Sequence, residues 1–124
     1  MKDTLYREVI LDLYRNPKNK GKIKDADFEA ESVNPLCGDV VTIQLKVDGQ
    51  SKIKQAVFSG SGCVISQASA SLLCTYIIGK KLSDIKKINS DDIIKLIGIK
   101  PSPSRLGCVI LSLRTLKEVI KDAV

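Results

Sequence analysis

The clearest regular pattern in the chain is an alternation of apolar and polar residues near its middle. Apolar side chains occupy every second position from Val41 to Val47, with polar or charged residues between them. Because successive side chains of a strand point to opposite faces of a sheet, this pattern predicts a strand with one buried and one solvated face. The Asp48-Gly49 pair that follows is typical of a hairpin turn. We therefore expect a return strand over about 52–59, and a first short strand over 28–33.

Helical periodicity surrounds these strands. Residues 4–15 place apolar side chains three and four positions apart, and Asn16-Pro17 ends that pattern. After the strands, a Ser/Ala-rich helix is predicted over 63–78 and a shorter one over 90–97, each followed by a glycine. Beyond the sequence KPSPSR, a long amphipathic helix is predicted from the apolar positions 106, 109, 110, 113, 116, 120 and 124.

The predicted order of one helix, a run of strands and then several helices indicates the fold class. It is typical of an α+β domain in which helices pack on one face of a small, three-stranded antiparallel sheet. The polar sequence KNKGKIKDAD, between the first helix and the first strand, is expected to be an exposed and mobile connector. A chain of 124 residues has the size of one domain, so we expect residues 1–124 to share a single core.

Composition narrows the classes of function. The chain has 20 basic and 14 acidic residues, a formal net charge of +6, which favours acidic partners in general. The basic residues form no block and aromatic residues make up only 4% of the chain, so few side chains could stack on bases and we expect no nucleic-acid partner. No apolar run approaches the ~20 residues that cross a bilayer, and the N-terminus lacks a signal-peptide pattern. We therefore expect a cytoplasmic protein without a membrane partner.

The candidate chemistry lies in the thiols, since the chain contains four cysteines and no histidine. The lack of histidine excludes Cys-His and Ser-His catalysis as well as histidine-ligated zinc. In a reducing compartment, cysteines are more often free thiols or metal ligands than disulfides. The four positions are Cys37, Cys63, Cys74 and Cys108.

Three of the cysteines are expected at the ends of predicted elements. Cys63 and Cys108 lie near the starts of helices, whose N-termini stabilise a thiolate, and Cys37 lies on the loop before the alternating strand. Asp39 follows Cys37 by two positions, and an extended backbone would point both side chains the same way. Three thiolates and one carboxylate would suit zinc or an iron–sulfur cluster with one oxygen ligand. Three unrelated buried thiols explain the spacing equally well.

Cys74 is expected to stand apart from the other cysteines. It follows Cys63 in the same predicted helix, at a distance of about 16 Å for a rise of ~1.5 Å per residue. One metal ion cannot bridge that distance while the helix is intact. With Leu72, Leu73 and Ile77 around it, Cys74 is predicted to be a small core residue.

Four sequence blocks cover nearly the whole chain: LYREVILDLYRNPKNKGKI, NPLCGDVVTIQLKVDG, FSGSGCVISQASASLL and SRLGCVILSLRTLKEVI. In this order they resemble the U-type iron–sulfur cluster assembly proteins, the family of SufU, IscU and the N-terminal domain of NifU. The first block resembles the family's opening helix and turn, and the other three resemble its cysteine motifs.

The resemblance implies that Cys37, Asp39, Cys63 and Cys108 surround one site that holds Zn²⁺ or a [2Fe–2S] cluster. In scaffold members the cluster is assembled there with sulfur from a cysteine desulfurase and is passed to apo iron–sulfur acceptor proteins. In SufU-type members the site holds zinc and a cysteine accepts persulfide sulfur, a role for which Cys108 is the candidate. The resemblance is also compatible with a homodimer. A structural zinc module for protein interactions is the alternative interpretation.

The chain departs from both subfamilies. IscU-type proteins have histidine before the last cysteine, where this chain has Gly107, and their chaperone-recognition segment is replaced here by PSPSR. SufU-type proteins usually carry an insertion between the second and third cysteines, and this chain lacks it. The residues in its motifs are therefore closer to those of SufU-type proteins, whereas its length is closer to that of IscU-type proteins. The subfamily stays open.

Overall fold

The computed structural model of the chain describes residues 2–35, 38–98 and 103–121, without the side chains of residues 2–7 and 103–105. These residues form an antiparallel sheet of three strands in the order β1-β2-β3, together with helices α1 to α5. The strands are β1 (Phe28–Asn34), β2 (Asp39–Val47) and β3 (Ile53–Ser61). The helices are α1 (Lys2–Arg15), α2 (Val64–Ile77), α3 (Leu82–Ile85), α4 (Ser90–Ile97) and α5 (Pro103–Lys121). The predicted α+β class is confirmed.

Strand β2 lies in the centre of the sheet, and its predicted alternation is confirmed. Val41, Ile43 and Leu45 are fully buried, and they share one apolar core with residues of α2, α3, α4 and α5. The opposite face carries polar residues such as Thr42, whose hydroxyl donates to the Glu31 carboxylate over 2.9 Å. The helices therefore pack on one face of the sheet, as the sequence predicts.

Strand β3 is longer than predicted, because Gly60 does not break it. Gly60 pairs with Val41 of β2, and its φ of +123° is one that residues with side chains rarely adopt. A Cβ at this position would lie 2.1 Å from the Val40 carbonyl oxygen. Glycine therefore permits a close approach between two strands here. As a result, β3 continues to Ser61, which pairs with Val40, the second residue of β2.

The predicted connector is exposed at most of its residues, as expected, but its backbone is held against the sheet, so the expected mobility was wrong. The N–H of Gly21 donates to the carbonyl of Phe58, and the N–H of Phe58 donates to the carbonyl of Asn19, both over 2.9 Å. Ile23 is buried, and its N–H donates to the Gln44 side chain over 2.9 Å. Residues 19–21 thus cover the outer edge of β3, which would otherwise expose unpaired backbone groups.

The helices agree with the predicted positions, apart from α3 and the start of α5. Helix α4 ends at Gly98 in the left-handed conformation and begins with a capping box between Asn89 and Asp92. Helix α3 was not predicted, because four residues are too short to show a helical period. Helix α5 begins at Pro103, where proline suits the first helical position. In the part of the chain that the structure describes, no helix is long and apolar enough to cross a membrane.

Candidate metal centre

Three of the four predicted site residues converge at one end of the sheet. Asp39, Cys63 and Cys108 each offer one ligand atom, and these atoms lie within 4.8 Å of one another. Asp39 is the first residue of β2, Cys63 precedes α2, and Cys108 lies in α5. Cys37 lies outside the described residues. The predicted convergence therefore holds for the three residues that the structure describes.

The N-terminus of α2 holds two of these groups. Cys63 is the N-cap residue, and its Sγ accepts a hydrogen bond from the N–H of Ser66 over 3.4 Å. The N–H of Cys63 itself donates to Oδ1 of Asp39 over 3.1 Å. A helix N-terminus favours negative charge through its free N–H groups and its dipole. The expected position of Cys63 at a helix start is confirmed. The Asp39 carboxylate, which belongs to β2, lies at the same helix N-terminus.

Cys108 lies deeper in its helix than predicted. Helix α5 begins at Pro103, so Cys108 lies in the second turn, beyond the N–H groups that a helix leaves free at its start. The expected position of Cys108 near the free N–H groups of a helix start was therefore wrong. The residue is fully buried. A Cβ on its neighbour Gly107 would lie 3.2 Å from Nδ2 of Asn34, so Asn34 fills the space beside this turn.

Asp39 has the environment of a metal ligand. Its side chain is only 3% exposed, and within the described ranges its Oδ2 atom is buried without a hydrogen-bond partner. A buried carboxylate oxygen is costly unless a donor or a cation compensates it. In a tetrahedral zinc site with Zn–S bonds of about 2.3 Å, two sulfur ligands are about 3.8 Å apart. The separation of up to 4.8 Å between the ligand atoms therefore needs only a small contraction around an ion.

Cys74 is the core residue that the sequence predicts. It is fully buried in the main apolar cluster beside Leu73 and Ile77. Burial raises the pKa of the Cys74 thiol to about 12, so this group stays protonated near neutral pH. It is absent from the group of metal-ligating side chains found among the described residues.

Several buried polar groups near Cys63 and Cys108 were not predicted from the sequence. Ser66 is fully buried, and its hydroxyl donates to the Cys63 carbonyl over 3.1 Å. Among the residues described, buried atoms of Gln67, Ser69 and Ser112 have no hydrogen-bond partner. Each lies on α2 or α5, one or two turns after Cys63 or Cys108. The serines of α2 are visible in the sequence, but their spacing alone does not show which of them lie near Cys63.

The fold and the site together define a class: a small α+β domain in which cysteine sulfurs and a carboxyl group meet at one end of the sheet. The sequence model of the NifU-like N-terminal domain matches residues 5–123. The chain belongs to this family.

Two curated relatives represent different named activities. The chain is 38% identical to the zinc-dependent sulfurtransferase SufU of Bacillus subtilis, over 94% of this chain and 89% of that protein. It is 39% identical to the iron–sulfur cluster assembly scaffold protein IscU of Thermotoga maritima, over 94% of this chain and 93% of that protein. Both alignments extend over 133 positions, more than the 124 residues of this chain. Both relatives therefore carry residues that this chain lacks.

Solved structures agree with this assignment. The putative iron–sulfur cluster assembly scaffold protein SufU of Fervidobacterium islandicum superposes with a TM-score of 0.74 at 32% identity, over 90% of this chain and 93% of that one. The N-terminal NifU-like protein of Brucella abortus gives a TM-score of 0.76 at 20% identity, over 96% and 94% of the two chains. The second likeness supports the fold alone.

Cys74 should resist alkylation in the folded protein, because its thiol is buried and protonated. We expect iodoacetamide at pH 8 to modify Cys74 only after denaturation, as measured by peptide mass spectrometry. Between pH 9.0 and about 12 the unfolded chain loses this proton while the folded protein keeps it, so the free energy of unfolding should fall as pH rises. Cys74→Ala should remove this part of the pH dependence. Alkylation of Cys74 and Cys63 at equal rates in the folded protein would contradict the assignment.

Proposed function

We propose that this protein acts in iron–sulfur cluster biogenesis, as a scaffold for cluster assembly, as an acceptor of persulfide sulfur from a cysteine desulfurase, or as both. It would then transfer its cargo to apo iron–sulfur acceptor proteins, using residues 1–124 as a single domain. The observation that carries this proposal is the convergence of Asp39, Cys63 and Cys108 within 4.8 Å in a member of the NifU-like N-terminal family. The names of the relatives SufU and IscU support the two forms of the activity.

The proposed ligands are the thiolates of Cys37, Cys63 and Cys108 and the carboxylate of Asp39. Thiolates bind zinc and iron strongly, whereas a carboxylate is a harder and more exchangeable ligand. A site with four thiolates would retain its metal too well for a protein that must release it. Asp39 would therefore keep the centre labile, whether it holds Zn²⁺ or a [2Fe–2S] cluster.

Acceptance of sulfur needs one thiolate of the site as a nucleophile. The thiolate attacks the outer sulfur of the desulfurase persulfide, a new S–S bond forms on this protein, and the desulfurase cysteine leaves as a thiolate. No oxidant is consumed, because the sulfur is transferred at an unchanged oxidation level. Cys108 is the proposed acceptor on the basis of its motif. Since Cys108 is fully buried and Cys63 is half-buried, docking of the desulfurase would have to open a path to the Cys108 sulfur.

Metal and sulfide content should distinguish the two forms of the activity. After anaerobic purification, we would quantify iron, zinc and acid-labile sulfide and then add the cognate desulfurase. Stoichiometric zinc with stimulation of the desulfurase supports sulfur acceptance, and iron with sulfide and visible absorption supports scaffold assembly. Stoichiometric zinc without stimulation and without a cluster after reconstitution would instead support a structural zinc module.

Asp39→Ala should lengthen the lifetime of an assembled cluster, because the variant loses the exchangeable oxygen ligand. The cluster is reconstituted anaerobically, and its transfer to an apo ferredoxin is followed by visible circular dichroism. We expect transfer at least several-fold slower than with the unaltered protein. Asp84→Ala, which removes an exposed carboxylate outside the site, is the control. An unchanged transfer rate in Asp39→Ala would contradict this role of Asp39.

Cys108→Ser should abolish stimulation of the matched desulfurase while leaving the fold intact, because a serine hydroxyl cannot accept persulfide sulfur. Alanine formation by the desulfurase measures stimulation, and far-ultraviolet circular dichroism measures the fold. Cys74→Ala is the control for loss of a cysteine outside the site. Cys37→Ser and Cys63→Ser show whether another ligand serves as the acceptor. Full stimulation by Cys108→Ser would exclude Cys108 from this step.

A further inference from the structure

We propose that Gly62 is a positioning residue of the metal centre: its missing side chain lets the N-terminus of α2 hold Asp39 so that only Oδ2 faces the metal. This inference rests on the proposed metal-binding function and specifies how the carboxylate would be presented. Gly62 immediately precedes Cys63 and follows the last residue of β3, at the junction between the sheet and α2.

Space, rather than backbone conformation, accounts for glycine at this position. The φ of Gly62 lies outside the left-handed region, so the backbone itself would accept other residues. A Cβ on Gly62, however, would lie 2.9 Å from both Cγ and Oδ1 of Asp39 and 2.7 Å from Oγ of Ser66. Such separations are too short for contact between these atoms. The Asp39 carboxylate therefore lies directly against the Gly62 backbone, in space that any side chain would occupy.

The close approach places the two carboxylate oxygens in different environments. Oδ1 accepts the hydrogen bond of the Cys63 N–H over 3.1 Å. Oδ2 is buried and, in the part of the chain that the structure describes, has no hydrogen-bond partner. With Oδ1 held by the backbone, Asp39 would bind an ion through Oδ2 alone. A carboxylate that binds through one oxygen can leave the metal by breaking a single bond, which suits a centre that must release its cargo.

Addition of one methyl group at Gly62 should therefore act on the metal through Asp39. Relief of the contact requires the carboxylate to move by about half an ångström, which would lengthen a 3.1 Å hydrogen bond beyond the usual range. Ser66 can relieve its own contact by rotation of the hydroxyl, which breaks the hydrogen bond that the hydroxyl donates to the Cys63 carbonyl. Loss of a hydrogen bond that orients a ligand typically lowers metal affinity about 10- to 100-fold.

The test uses Co²⁺ as a spectroscopic substitute for zinc in the full chain, reduced and free of metal. Thiolate-to-Co²⁺ absorption reports binding, and competition with a chelator of known affinity gives the dissociation constant. We expect Gly62→Ala to weaken Co²⁺ binding by about 10-fold or more and to shift the ligand-field bands. The matched control is Gly49→Ala, since a Cβ on Gly49 meets no atom within 4 Å. Gly49→Ala should bind Co²⁺ as the unaltered protein does.

A double-mutant cycle separates positioning from general damage. In an Asp39→Ala background the carboxylate is absent, so Gly62→Ala should change Co²⁺ affinity by less than about 2-fold. An equal loss of affinity with and without Asp39 would overturn the inference, as would unchanged affinity in Gly62→Ala alone. If Gly62→Ala alone does not fold, the variant that also carries Asp39→Ala and Ser66→Ala should fold, because both close contacts of the added Cβ are then gone. Failure of this triple variant to fold would also overturn the inference.

The same titrations separate this inference from the function on which it rests. If the unaltered protein does not bind Co²⁺ through its thiolates, the proposed metal centre is wrong, and the role proposed for Gly62 is wrong as well. If the unaltered protein binds Co²⁺ and Gly62→Ala binds it equally well, only the positioning role is wrong.

Discussion

The hydrogen bond from the Cys63 N–H to the Asp39 carboxylate joins the sheet to helix α2, and the candidate centre depends on it. It forms because β2 begins where β3 ends, with Val40 paired to Ser61. A change of register by one residue would turn Asp39 to the opposite face of the sheet. The register that buries the apolar residues of β2 therefore also determines the position of Asp39.

The centre places the Asp39 carboxyl group and the sulfurs of Cys63 and Cys108 close together, and hydrogen bonds from the described residues reach only one of the two Asp39 oxygens. The first turn of α2 provides N–H groups to Asp39 and Cys63, and its dipole favours their negative charge. The second carboxylate oxygen receives no hydrogen bond from the described residues. A bound cation would supply the missing compensation.

Packing around the centre relies on small residues at positions of close approach. Without a Cβ, Gly60 can lie against the Val40 carbonyl and Gly62 can lie against the Asp39 carboxylate. Gly107 likewise leaves space for the side chain of Asn34. Each glycine lacks a Cβ that would otherwise push the neighbouring group away. Cys74 shows the contrast: it is a thiol on the same helix as Cys63, but its apolar surroundings keep it protonated and far from the centre.

The sequence by itself determined the elements and the donors. Alternation predicted β2, helical periodicity predicted α1, α2, α4 and α5, and the motif blocks pointed to Asp39, Cys63 and Cys108, because these signals are local or were carried by the resemblance. Only the tertiary structure decided how distant residues meet: residues 19–21 cover the edge of β3, and Cys108 is buried in the second turn of α5 rather than at its start. The roles of Gly60 and Gly62 also required it. A residue pattern reports which side of its own element is buried, whereas the approach of one element to another depends on register and packing between residues far apart in the chain.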